Sequence, residues 1–265
     1  MISAGPGRPD PRLGPRDHEH HPSHTAAGEA TDSAQVPWAG RDLSPSGFET
    51  DTGAADVHLR ALLAASDTPD QALFAALAGA RLLVPVVAEP VTVEERQGLV
   101  HDTSVDMAVV TLTAPDGRRA LPLFTGIDSL GAWDSQARPV PVTAQRSAQA
   151  AVTERCDVLL IDLAGPAPRV IRSSMLWALA QHADWLPAHE DPHVLAAFDA
   201  AVHDEPRLTA FELGGGPDGE LRVTLTLVPG LDSPTVTAML TALGERIATD
   251  GEVRARIDAL TFALR

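Results

Sequence analysis

A chain of 265 residues is long enough for one large or two small domains, and a hydrophobic content of 44% is ordinary for a folded protein. All 20 basic residues are Arg, against 36 acidic ones; the resulting formal charge of −16 argues against a nucleic-acid partner, whose phosphates demand a basic face. With no Lys anywhere, Schiff-base catalysis and a phosphate-cradling P-loop are both excluded.

Residues 1–52 are rich in Pro, Gly, Ser, Asp and His and carry almost no apolar period, so a disordered tail is expected there. The opening MISAGPGRPDPR lacks the apolar stretch of a signal peptide, and the single Cys156 cannot form an intramolecular disulfide. The apolar run ALFAALAGARLLVPVVA is short for a membrane span and is interrupted by Arg81 and Pro85. A cytoplasmic protein with no membrane contact is the expectation.

Order is expected from near Ala54. In ADVHLRALLAAS the spacing puts Leu59, Leu62 and Leu63 on one helical face. TPDQALFAALAG predicts a second helix, with Thr68 as N-cap, Pro69 in the first turn, Gln71 returning a capping bond and Gly79 ending it. RLLVPVVA reads as a strand, which Pro85 confines to an edge or a bulge. MAVVTLTA and RALPLFT flank the turn Pro115-Asp116-Gly117 and predict a hairpin. In TGIDSLGAW, Thr125 and Asp128 stand at capping-box spacing, and Ile127 and Leu130 point to one side.

RPVPV then predicts a short strand, and TAQRSAQAAVTE a helix burying Ala144, Ala148, Ala151 and Val152. DVLLIDL and APRVIR are strands, and SSMLWALAQH a buried helix capped at Ser173-Ser174. The connection WLPAHEDPH leads into a second unit. Asp191 and Pro192 open a helix placing Val194, Leu195, Phe198 and Val202 on one face. LTAFELGG and GELRVTLTLV form a hairpin, Ser233 and Pro234 start an amphipathic helix, and RIDALTFAL closes as a strand.

Several stretches imitate functional motifs. Gly214, Gly216 and Gly219 spell GxGxxG, but a strand follows where a dinucleotide site needs a helix, so a hairpin loop is expected. His18, His20, His21 and His24 lie in the tail, where nothing can orient them as ligands; His182, His189, Glu190, Asp191 and His193 have metal-ligand chemistry without the spacing of a closed site. No metal and no cofactor are expected. Cys156 beside Asp157 reads as a small buried residue, because an adjacent acid disfavours the thiolate. Glu94-Glu95 and Asp204-Glu205 fall in predicted turns and read as solvated. There is no GxSxG elbow, and no catalytic residue is assigned.

The stretch APDGRRALPLFTGIDSLGAWDSQARPVPVTAQRSAQAA, followed by VLLIDLAGPAPRVIRSSMLWALAQ and HEDP, resembles actinobacterial SseB-family proteins. That resemblance implies an α/β class: a mixed-sheet N-terminal domain followed by a smaller α+β unit. With the tail, the expected organisation is 1–52 tail, 53–190 SseB-like domain and 191–265 C-terminal α-β-β-α-β domain. It implies no catalytic residues. The leading expectation is a non-enzymatic binding or regulatory module with a protein partner. The alternatives are an enzyme with an inter-domain site of scattered Asp, Arg and His, or a scaffold subunit of a secretion- or translation-associated complex.

The candidate binding residues are Phe124, Asp128, Trp133 and Asp134. In a chain with 4% aromatic residues and no Tyr, the two rings frame one short turn, and aromatic groups dominate interface energetics. The two Asp residues would form the rim.

Overall fold

The computed structural model describes residues 47–88 and 107–265, with side chains over 47–87 and 109–265. Within these, Thr50–Ala88 and Met107–Arg265 belong to one compact unit. Expectations for residues 1–46, including the four-His tract, and for Glu94-Glu95 lie outside the described residues.

Helix α1 (Val57–Ala64) starts where the Asp56 carboxylate accepts from Leu59 N at 2.8 Å. It buries Leu59 and Leu63. Helix α2 (Asp70–Ala78) lacks the expected cap: the Thr68 hydroxyl donates to Leu62 O instead, and the Gln71 amide reaches Glu190. Gly79 does end it, though in right-handed geometry.

Strand β1 (Arg81–Ala88) corrects the reading of Pro85. It is the central strand of a sheet ordered β2–β1–β5, between β2 (Met107–Val109) and β5 (Arg138–Thr143). The proline is tolerated for a geometric reason. N–H groups alternate sides along a strand, and Leu83 N donates to Phe124 O on the β2 side. The Pro85 nitrogen therefore also faces that side, in the gap before β2 pairing begins at Val86↔Val109. On the other side Pro85 lies opposite Pro139. No ladder bond is lost.

The second sheet is ordered β3–β4–β6–β7, with β3 (Leu112–Thr113), β4 (Arg119–Leu123), β6 (Val158–Ile161) and β7 (Arg169–Ile171). β3 and β4 form the predicted hairpin around Gly117, although MAVVTLTA divides, its first half pairing with β1 as β2. β4 and β6 run parallel, and between them the chain passes through α3 (Ile127–Trp133), β5 and α4 (Ala144–Thr153). The Leu83↔Phe124 bridge ties this sheet to the first.

Ala144, Ala148 and Ala151 of α4 are fully buried in the core that also holds Leu82, Leu121 and Leu159. Ser147 takes the place predicted for Val152, which is exposed. Helix α5 (Ser173–Gln181) buries Met175, Leu176 and Leu179 but leaves Trp177 at the surface. Arg172 is its N-cap residue, and the Ser173-Ser174 hydroxyls do not cap it.

A second core runs from Ala188 to Val253. Asp191 caps α6 (Pro192–Val202) with Pro192 at its first turn, as predicted; Val194 and Phe198 are buried, whereas Leu195 is exposed. β8 (Leu208–Gly215) and β9 (Leu221–Leu227) form the predicted hairpin, connected by residues 216–220. Helix α7 (Ser233–Thr249) is capped by Asp232, and a short helix α8 (Gly251–Arg256) precedes β10 (Leu260–Leu264), which pairs parallel to β9.

Glu205 corrects the reading of Asp204-Glu205 as solvated. Its side chain is 8% exposed and accepts from Arg207 Nε at 2.6 Å and Nη2 at 2.8 Å. The Arg207 hydrogen bonds hold its carboxyl below the usual carboxylate range. The architecture is α/β, with mixed and antiparallel sheets.

Candidate functional site

Parallel neighbours end on the same side of a sheet, and in α/β sheets the space beyond those carboxyl ends is where ligands settle. Here β4 runs out into Phe124-Thr125 and β6 into Asp162. Asp162 is a non-glycine residue at φ 48°, and its carboxylate is buried. Oδ1 accepts from Thr125 N at 2.9 Å and Oδ2 from Thr125 Oγ1 at 2.6 Å.

The same Oγ1 accepts from Arg60 Nε at 3.1 Å, and Thr125 O accepts from Arg81 Nη1 at 2.8 Å. Every polar atom of Thr125 is thus occupied. This replaces the predicted capping role, for the N-cap of α3 is Gly126, whose carbonyl receives the Ser129 hydroxyl at 3.0 Å.

Around this network lies a cavity of about 470 Å³. α1 contributes Arg60, Leu63 and Ala64, α3 contributes Asp128 and Ala132, and Ala164–Ala167 close the far wall. The lining is mostly small and apolar. At the mouth Arg60 grips Asp128 with two bonds, Nη1 to Oδ2 at 2.7 Å and Nη2 to Oδ1 at 2.5 Å. Those bonds hold Asp128 below the usual carboxylate range and raise Arg60.

Phe124 is 0% exposed and packs with Leu83, Leu130 and Ala137. Trp133 is half-buried against it, with ring centroids 5.4 Å apart and planes tilted by 32°. Phe124 therefore has no surface of its own and can act only by supporting Trp133. Asp128 stands at the cavity mouth. Asp134 closes the C-terminus of α3 and accepts from Gln136 N at 2.8 Å.

Leu130 anchors α3 as expected, but Ile127 does not, being 51% exposed. Sequence reasoning missed Arg60, Arg81 and Asp162. The one local signal was an acidic residue directly after the apolar run VLLI.

A second hollow, of about 490 Å³, has the opposite character. The Arg172 guanidinium forms its floor, with Nη2 donating to Asp70 at 2.8 Å and Nε to Asp258 at 2.9 Å. Burial works to lower the Arg172 pKa, but these two carboxylates outweigh it and the net shift is upward. Asp258 also accepts from Ser174 N and Oγ, and Ser174 Oγ accepts from Trp185 Nε1 at 3.0 Å. The Trp185 ring lies 5.7 Å from Arg172 Cζ. Gly219, at φ +78°, sits so near that a Cβ there would collide with the guanidinium. Of the GxGxxG glycines, Gly214 lies in β8, while Gly216 and Gly219 belong to the hairpin loop, which rests on an arginine.

The remaining candidates fall apart spatially or chemically. His189 meets Glu190 at 3.6 Å, Asp191 caps α6 and faces Arg256 at 3.3 Å, and His182 ends α5. Among the described residues no three His, Cys, Asp or Glu side chains group around a point where a metal could sit. Cys156 is buried, and burial pushes its thiol pKa up. No helix among the described residues is long and apolar enough to cross a membrane.

A family model described as SseB protein N-terminal domain matches residues 58–178. The chain therefore carries an SseB N-terminal domain over these residues. No curated protein and no solved structure gave a match to the chain. The match divides the two hollows. All eleven residues lining the cavity lie inside the SseB domain. The polar hollow takes Arg172 from the domain but Trp185, His189, Gly219 and Asp258 from beyond it.

Proposed function

We propose that this SseB-domain chain is a non-enzymatic binding module for a protein partner. The cavity beside α3 accepts an apolar side chain from a basic segment of that partner. The observation that carries this reading is the small-residue lining of the cavity at the carboxyl ends of β4 and β6, with an ion pair at its mouth. Trp133 ends and Asp134 caps the helix that brings Asp128 and Ala132 to the cavity, and the chain's charge of −16 complements a basic partner. The polar groups here are already saturated by one another, which suits a docking surface better than proton transfer. A buried free Cys156 is compatible with a cytoplasmic setting.

The test is capture from the native cell with mass spectrometry, comparing the parent chain with Ala132→Phe. Ala132 is exposed on the cavity rim, so the larger ring fills the cavity without disturbing the core. A partner recovered by the parent and lost by Ala132→Phe supports the reading; equal recovery by both overturns it.

The enzymatic alternative has one observation in its favour, the convergence of Asp70, Arg172, His189 and Asp258 on the polar hollow. Asp70 and Asp258 are committed to Arg172, so a reaction using them would first have to break a structural ion pair. A retained turnover in Asp258→Asn would remove that site from consideration.

A further inference from the structure

Helix α3 has only seven residues, too few to hold itself together, and its N-cap residue is a glycine with no side chain to cap the first turn. Its leading N–H is nevertheless satisfied: Ile127 N donates to Gly53 O at 2.9 Å. Gly53 lies on a short segment preceding the family match, and that segment is pinned at several points. Asp51 Oδ2 lies 2.7 Å from Arg81 Nε in an ion pair that leaves the oxygen without a well-formed hydrogen bond. Asp51 Oδ1 accepts from Gly53 N at 2.8 Å, and Arg81 Nη2 donates to Ala54 O. Arg81 uses its remaining Nη1 on Thr125 O, the residue leading into α3.

The fit is close. Gly53 is buried at φ +75°, and a Cβ there would fall 2.5 Å from Ile127 Cγ2. A Cβ on Gly126 would come within 3.0 Å of Ala55 N. Arg81 and Gly53 thus fasten one segment to both the entry and the first turn of the helix that carries Asp128, Ala132 and Trp133.

We infer that residues 51–55 form a strap that holds α3 in its place beside the cavity, so that releasing the strap switches the docking site off. The switching of docking rests on the reading of the cavity as a partner site; the ordering of α3 does not. None of the strap residues lines the cavity.

The experiment uses the full chain and two variants, followed by hydrogen–deuterium exchange. Gly53→Val unseats the strap by collision, and Asp51→Asn weakens its ion pair with less disturbance. Exchange of the Ile127–Ala132 amides is expected to rise at least tenfold in Gly53→Val and by a smaller factor in Asp51→Asn, with the β9 amides Leu221–Leu227 unchanged. Unaltered exchange over α3 in both variants overturns the inference. So does an equal rise in β9, because the segment would then be a general staple.

Capture separates the two readings. Partner recovery that falls in the strap variants supports the switch, and recovery that persists while α3 loosens overturns it. If Ala132→Phe keeps the partner yet the strap variants loosen α3, the docking reading fails and the strap survives as an ordering device only.

Discussion

The two hollows of this molecule are nearly equal in size and opposite in kind. The cavity beside α3 is mostly apolar, walled by Leu63, Ala64, Ala132 and Pro166, with the Arg60–Asp128 pair at its mouth and the buried Asp162 bonded to Thr125. The hollow over Arg172 is polar, and its charges lie on the floor, where they join residues from two cores. An apolar wall can gain by taking a partner's side chain out of water. A floor of mutually satisfied charges gains little from a ligand, because each new bond replaces an existing one. The contrast points to recognition at the first hollow and cohesion at the second.

The comparison breaks most readily under α3, which forms one wall of the first hollow. Phe124→Ala removes a fully buried ring and is expected to cost about 3–5 kcal/mol in denaturant unfolding. A cost under about 1 kcal/mol would mean that the ring does not support α3. At the second hollow Arg172→Ala leaves Asp70 and Asp258 without their cation. The guanidinium side chain is 22% exposed, so about 3 kcal/mol is expected. If the charges there serve cohesion, unfolding of this variant should divide into two transitions, one per core. A single transition with unchanged midpoint would reassign the hollow to ligand binding.

Trp133→Ala sharpens the first side of the comparison. The half-buried ring is expected to cost about 1–2 kcal/mol while abolishing partner capture. A loss as large as that for Phe124 would make it a core residue. Smallest is Asp128→Asn, where both partners are well exposed and the pair is worth about 0–1 kcal/mol at neutral pH. Because folding lowers the Asp128 pKa, that contribution is present above the unfolded value near about 3.9. It drains away as pH falls through the folded value. Parent and variant should therefore differ at pH 7 and converge in strong acid; a difference that grows on acidification would contradict the ion pair.

Much of the fold was legible locally. Asp56 and Asp191 begin helices because a short acceptor side chain reaches free N–H groups one turn on, and neither depends on distant chain. The β8–β9 hairpin and the failure of GxGxxG as a cofactor loop followed from alternation and order alone. The candidate site was legible only in part. Trp133 and Asp128 could be noticed as an aromatic and an acid on one turn, but the burial of Phe124 beneath them depends on the Leu83 bridge, 41 residues away in sequence.

Amino-acid order by itself determined the helix starts, the hairpins and the alternation of apolar faces, because these rest on periods and propensities within a few residues. Tertiary structure decided what the polar residues do. Thr125 could have capped its own helix, but Asp162, 37 residues on, claims both its N–H and its hydroxyl. Pro85 could have marked an edge, but its nitrogen falls into a gap between two pairings. Such outcomes follow from which groups are brought within about 3 Å of one another, and hydrogen-bond partners at that range are set by the packing of distant segments.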